Sequence, residues 1–267
     1  MRIALKIAYD GSKFYGFQRQ PDVRTVEGEL LNALRKLGVI GDPKEARFQG
    51  ASRTDRGVSA FFNVVAFNTE NPKLAVPRIL NHQLRDVWVL GIAEVPEDFH
   101  PRFYARGKTY RYYLLDEGFD IDAMRDCGFL FMGEHNFSNF ARLERGKNPV
   151  RRITDLKIAK QNDIVVIEIS GESFLWEMVR RIVTALKLCG LGVLGMNEIR
   201  EMLELKVKRK LPPAPAENLV LWKIEYENLR FEIDRYSLEK AKKEFFERYK
   251  LAAVRASLFR DFYAGLP

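Results

Sequence analysis

The sequence predicts an α+β fold built from two related halves, and three observations carry that expectation. Apolar and polar residues alternate with a period of two in several short segments, and a 3.6-residue apolar period marks the stretches between them. Strand-type and helix-type segments follow one another in a similar order before and after the His100-Pro101 step. With 46% hydrophobic and 30% charged positions in 267 residues, the chain can bury a sizeable core, which excludes intrinsic disorder. No apolar run approaches the roughly 20 residues of a membrane-spanning helix.

The first segment places Ile3, Leu5, Ile7 and Tyr9 on one side and Arg2, Ala4, Lys6 and Ala8 on the other, which predicts a half-buried strand. Its internal charges are foreign to a signal peptide. Thr25 is the N-cap of a helix carried by Val26, Leu30, Ala33, Leu34 and Leu37, with Gly38 as its stop. Further strands are expected at about 61–68, 87–95, 103–115, 150–160, 163–170 and 218–226, and helices at about 77–85, 173–189, 196–205 and 237–250. The expected division is 1–100, an N-terminal α+β subdomain carrying the Asp55 loop, and 101–267, a C-terminal α+β subdomain with a helical extension. Two ferredoxin-like or RRM-like subdomains would then form a largely antiparallel sheet with flanking helices and a basic cleft. Pro212-Pro-Ala-Pro-Ala216 is an extended linker. The tail from Ser237 to Tyr263 is expected to form one or two charged amphipathic helices, packing through Leu238, Ala241, Phe245 and Tyr249.

Lys and Arg number 44 against 36 Asp and Glu, a net charge of +8, which points to a polyanionic partner. The basic residues cluster: Arg142, Arg145, Lys147, Arg151 and Arg152 crowd one stretch, and Lys206-Val-Lys-Arg-Lys210 forms another. Cys127 and Cys189 have no CxxC spacing, so neither a disulfide framework nor structural zinc is expected, and a reducing, cytoplasmic location fits. The three histidines, His82, His100 and His135, show no metal-ligand spacing, and no Gly-x-Ser-x-Gly elbow occurs.

Three segments could carry chemistry. Gly50-Ala-Ser-Arg-Thr-Asp-Arg-Gly-Val-Ser-Ala60 is a polar loop between strands. It is either a turn in which Asp55 satisfies local donors, or a site in which Arg53 and Arg56 lower the Asp55 pKa and keep it ionised. It lacks the Gly-Lys-Ser/Thr ending of a phosphate-cradling P-loop. Phe99 to Leu114 interleaves bases and aromatics along a strand, suited to stacking on unpaired bases and reaching phosphates, with core packing the competing account. Glu172 to Leu188 reads as a helix with Arg180 at the edge of its apolar stripe, either snorkelling or paired with a carboxylate.

Together, Tyr9-Asp-Gly-Ser-Lys-Phe-Tyr-Gly-Phe-Gln18, Ser52-Arg-Thr-Asp-Arg-Gly-Val-Ser-Ala60, Phe99-His-Pro-Arg-Phe103, Lys108-Thr-Tyr-Arg-Tyr112 and Met178-Val-Arg180 resemble, in order and spacing, the TruA family of tRNA pseudouridine synthases. The resemblance implies an enzyme without cofactor or metal, usually a homodimer, that isomerises uridine at tRNA positions 38, 39 or 40 in the anticodon stem-loop. It also implies roles for four residues. Asp55 matches the nucleophile, Tyr110 the tyrosine that stacks on the target base, Arg180 the arginine paired with the aspartate, and Arg53 an arginine that holds the base out of the helix. The chain departs from the family pattern at Arg56 and Ser59, where a small residue and a histidine are usual, and at Phe17, in place of a tryptophan. The alternatives are a non-catalytic RNA-binding protein, which has no need of Asp55, and a basic core protein of a ribonucleoprotein.

Overall fold

Ten strands form one sheet through the molecule, in a computed structural model that describes residues 1–266. In chain order the main elements are β1 (Arg2–Tyr9), α1 (Val26–Lys36), β2 (Gln49–Gly50), β3 (Ser59–Asn68), α2 (Pro77–Asn81) and β4 (Val87–Glu94). There follow β5 (Ala105–Leu115), α3 (Ile121–Phe129), β6 (Gly133–Asn136), β7 (Val150–Gln161), β8 (Ile164–Gly171), α4 (Met178–Gly190), α5 (Met196–Leu203), β9 (Leu219–Tyr226), β10 (Glu232–Ile233) and α6 (Arg235–Gly265). The sheet order is β10-β4-β1-β3-β9-β5-β8-β7-β6, with β2 beside β3. The expected α+β class and largely antiparallel sheet are what the structure has.

The one parallel pair is β3 with β9, where Ser59 lies opposite Val220 and Ala60 opposite Leu221. Because parallel strands begin at the same end, the loop that leads into β3 and the proline-rich segment that leads into β9 emerge side by side. Their closeness is visible at Gly57, whose φ is +85° and where an added Cβ would lie 3.0 Å from Glu217 Oε1. Only glycine suits both the left-handed backbone and that approach.

β1 is buried on both faces rather than one, which departs from the alternation. Ile3, Leu5, Ile7 and Tyr9 enter the main core, while Ala8 joins Trp88 and Leu90 beneath Ala241 and Leu238 of α6. Arg2 is only 3% exposed. Its guanidinium donates to the Phe99 carbonyl at 2.8 Å, Gln49 Oε1 at 2.7 Å and Asn68 Oδ1 at 2.9 Å, so a buried charge is fully hydrogen-bonded.

α1 starts as its cap predicts, with Thr25 Oγ1 accepting from the Gly28 N–H at 3.2 Å. α4 starts at Met178, five residues later than expected, because Glu177 adopts φ +61° and breaks the helical path. Leu175 therefore lies outside the helix. α6 is a single helix of 31 residues, longer than the periodicity indicates. Past Tyr249 nearly all its side chains are exposed, including Leu251, Val254, Leu258, Phe259 and Phe262. No helix among the described residues is long and apolar enough to cross a membrane.

Candidate active site

The loop bearing Asp55 is braced from below. Tyr9 and Asn63, both buried, hold it: the Tyr9 hydroxyl pairs with Thr54 Oγ1 at 2.8 Å, and Asn63 Nδ2 donates to the Ser52 carbonyl at 2.9 Å. From the side, the Phe17 N–H donates to the Thr54 carbonyl at 3.0 Å, and Gly16 approaches the same backbone with φ +106°. The turn itself closes through the Val58 N–H to the Asp55 carbonyl at 3.2 Å. The Asp55 side chain makes none of these bonds, which frees its carboxylate to face outward.

What it faces is Arg180, in the first turn of α4. Arg180 Nη1 lies 3.4 Å from Asp55 Oδ2, with the side chains 15% and 32% exposed respectively. The guanidinium is aimed by the proline-rich segment: Arg180 Nε donates to the Ala214 carbonyl at 2.6 Å, and the Ala214 N–H donates to the Arg180 carbonyl at 3.1 Å. Thr184 Oγ1 donates to the Pro212 carbonyl at 2.8 Å and the Tyr112 hydroxyl to that of Pro215 at 2.9 Å. The stretch reads as a linker in the sequence and acts as a splint along α4.

Asp55 is not shifted as its flanking arginines predict. Burial holds its carboxyl above the ordinary aspartate range, the charge and hydrogen bond of Arg180 oppose that shift, and Glu177 adds to it. Arg53 and Arg56 are exposed, and neither is among the groups acting on the carboxylate, because solvent screens them. Arg56 lies over the Tyr15 ring instead, 4.3 Å from its centroid.

Tyr110, on β5, is 9% exposed, and its hydroxyl pairs with Ser52 Oγ at 3.1 Å. Its ring meets Phe174 edge-on, with centroids 5.2 Å apart. Burial and the nearby Asp55 charge both raise its pKa, so it stays a neutral phenol. Asp55, Arg180 and Tyr110 thus converge from the loop, α4 and β5. Arg53 lies on the exposed rim of the same loop, apart from that trio.

A family model described as "tRNA pseudouridine synthase" matches residues 6–104 and 129–227. The chain is 61% identical over 266 residues to the tRNA pseudouridine synthase A of Thermococcus sibiricus, covering all of both chains. It is 59% identical to that of Thermococcus kodakarensis over 98% of each chain, and 54% to that of Pyrococcus furiosus over 98% of this chain and 97% of the other. The chain belongs to the TruA family of tRNA pseudouridine synthases.

The chain is therefore an isomerase, and the matched ranges include Asp55 and Arg180. Several groups at the site escaped the sequence. Trp176 favours the charged form of Asp55 through its indole, is 42% exposed, and carries Arg142 over its ring at 4.1 Å. The Arg142 N–H also donates to the Trp176 carbonyl at 2.9 Å, so one basic cluster reaches the site by strand-like pairing. Asn139, 3% exposed, ties the other cluster in: its amide donates to the Met202 and Val207 carbonyls, each at 2.8 Å, and accepts from the Arg209 N–H at 3.1 Å. The only available signal for Trp176 was an aromatic beside the Arg180 motif. Among the described residues no group of three or more His, Cys, Asp or Glu could hold a metal ion.

Proposed function

We propose that this chain converts uridine to pseudouridine in the anticodon stem-loop of tRNA, at position 38, 39 or 40, with Asp55 as the nucleophile. The observation that carries this proposal is one partly buried carboxylate held opposite one arginine, 3.4 Å away, beside a buried tyrosine. The reaction breaks the N1–C1′ bond, rotates the uracil and joins C5 to C1′; C5 gives up its proton to solvent and N1 takes one up, so the product is an isomer. An ionised carboxylate is required whether it attacks the base or the sugar. Partial burial strips water from Asp55 and sharpens its nucleophilicity, while Arg180 keeps enough of it charged to act. Thr54, Tyr9 and Asn63 fix the loop, so little reorganisation is needed at the moment of attack.

The target nucleotide must leave its stack, at a cost of a few kcal/mol. In this proposal Tyr110 receives the extruded base and Arg53, free on the rim, fills the space it vacates. Basic residues around the cleft supply affinity through phosphates, so binding weakens steeply with salt. The enzyme works in the cytoplasm as a homodimer without cofactor. The apolar seam Leu251, Val254, Leu258 and Phe262 along exposed α6 supports self-association, since a second copy presents the same seam.

The test is tritium release from tRNAs carrying 5-tritiated uridine at only one of positions 38, 39 and 40, beside pseudouridine mapping of the products. Release at any of them in the presence of EDTA supports the proposal. Full binding without release at all three leaves the non-catalytic alternative.

A further inference from the structure

A group of cations lies next to the site, and among the described residues none of Arg102, Lys108 and Arg151 forms an ion pair. Lys108 follows the Tyr110 pattern, two residues earlier on β5 and therefore on the same face of the strand. It is half-buried, and its ammonium donates to the Ala51 carbonyl at 2.9 Å, at the root of the Asp55 loop. Burial, then the Arg102 charge, bring its pKa down to about 8, and no carboxylate acts on it. Arg151, at the start of β7, is likewise shifted down by burial and then by Arg102. Its Nη1 donates to the Asn148 and Val150 carbonyls at 2.8 and 2.6 Å, but its Nε is buried with no hydrogen-bond partner. Arg102 is exposed, in the turn that leads into β5. Beside it, burial shifts His100 down against an opposing backbone hydrogen bond, and the charges of Arg2, Arg102 and Arg47 add to the fall.

This arrangement is costly in an unliganded protein. Two half-buried cations that each face the Arg102 charge, and an orphaned guanidinium N–H, forfeit several favourable interactions unless an anion arrives. Other half-buried arginines have all their neighbours in place: Arg111 pairs with Glu168 and Arg181 with Glu177, while buried Arg2 is met by carbonyl and amide oxygens. The group is too rich in donors for a single carboxylate and suits the several oxygens of a phosphodiester. It lies one alternate residue from the ring that would receive the base, so a phosphate held there belongs to the strand being modified.

We propose that Arg102, Lys108 and Arg151 form a seat for one backbone phosphate of the bound RNA, close to the target nucleotide. The proposal rests on the function given above and adds to it where the strand is gripped. The seat fixes register: with one phosphate clamped, only a nucleotide at a set distance along the strand reaches Tyr110 and Asp55.

The experiment uses full-length protein carrying Asp55→Asn, which holds RNA without turning it over, alone and combined with Arg102→Ala or Arg151→Ala. Binding is titrated against anticodon stem-loop RNAs with one neutral methylphosphonate linkage, moved stepwise past the target. The seat predicts one linkage at which neutralisation weakens binding in the Asp55→Asn protein but not in the Arg102→Ala or Arg151→Ala combinations. Each added substitution should also lower the slope of log K against log salt by about 1. Equal effects of the linkage walk in all three proteins, or an unchanged salt slope, overturn the seat. Arg102 is exposed, so its loss cannot be confused with misfolding, and circular dichroism checks Arg151→Ala. Tritium release by the unsubstituted enzyme reports separately on the proposed reaction, so either inference can fail while the other stands.

Discussion

Two aspartates in this molecule meet arginines in tight turns, and they respond in opposite directions. Asp86, at φ +60° just before β4, receives Arg24 Nη1 at 2.8 Å and Arg248 Nη2 at 2.6 Å. Burial pushes its carboxyl up, but hydrogen bonds and charge from the two arginines outweigh that and leave it below the ordinary aspartate range. Asp55 receives one arginine at 3.4 Å, with Glu177 as a like-charged neighbour, and burial wins. Asp86 is therefore a fastener, joining α6 to the approach to α1. Asp55 is an anion kept partly uncompensated, as expected of a group that must react. Two close partners hold the Asp86 carboxyl down, whereas one more distant partner, set against burial and Glu177, does not hold Asp55 down.

The contrast would break most visibly at Asp55→Asn. Turnover should fall by at least about 10³-fold, the scale seen when a nucleophile is removed, while RNA affinity persists. Stability should move the other way. A carboxyl whose folded pKa is raised binds its proton more readily in the native state, so above the unfolded value its charge costs stability. The neutral asparagine should accordingly melt no lower than the wild type, and somewhat higher at pH 7. A clear fall in melting temperature would make Asp55 a structural turn residue.

Arg180→Met sharpens the same point with a smaller effect. Losing a preorganised charge at the reacting group costs about 10²–10³-fold in rate. Because Arg180 is the main influence lowering the Asp55 pKa, its removal should shift the acid limb of the pH–rate profile to higher pH. A profile of unchanged shape would mean that the pair does not form in the working enzyme. The fold should lose about 1–3 kcal/mol, because the Ala214 carbonyl loses its donor.

Much of this site was legible in the residues, and what was not has a physical reason. Asp55, Tyr110 and Arg180 stand in short, dense polar-aromatic motifs, whose order along the chain survives folding. The sign of the Asp55 shift did not, because it depends on burial and on Glu177 and Arg180, which reach the loop from more than a hundred residues along the sequence. Arg53 and Arg56 are neighbours in sequence but face water, so adjacency misled. The apolar period runs through Trp176, yet the helix starts only at Met178, after a left-handed Glu177 that no periodicity reveals. Strand β1 looked half-buried because its second face is covered by α6, whose Ala241 and Leu238 lie more than two hundred residues away. Helix α3 and the short strands β6 and β10 left no periodic signal strong enough to find.

The smallest of these effects belongs to the fastener. Asp86→Asn keeps the shape of the turn but removes the charge shared by Arg24 and Arg248, and with Arg248 Nη1 still on Asp10 the helix keeps one of its ties. A partly exposed pair of this kind is worth about 1 kcal/mol, so the melting temperature should drop by a few degrees. Since the folded pKa of Asp86 is lowered, its contribution is present above the unfolded value near 4 and fades as pH falls through the folded one. The stability gap between wild type and variant should be full at pH 6–7 and close in acid. The rate per folded molecule should stay within about twofold, because Asp86 lies among Arg24, Glu29, Trp88 and Arg248, away from the Asp55 loop. A variant of normal stability and crippled rate would reverse the roles assigned to the two aspartates. A gap independent of pH would show that charge is not what fastens α6.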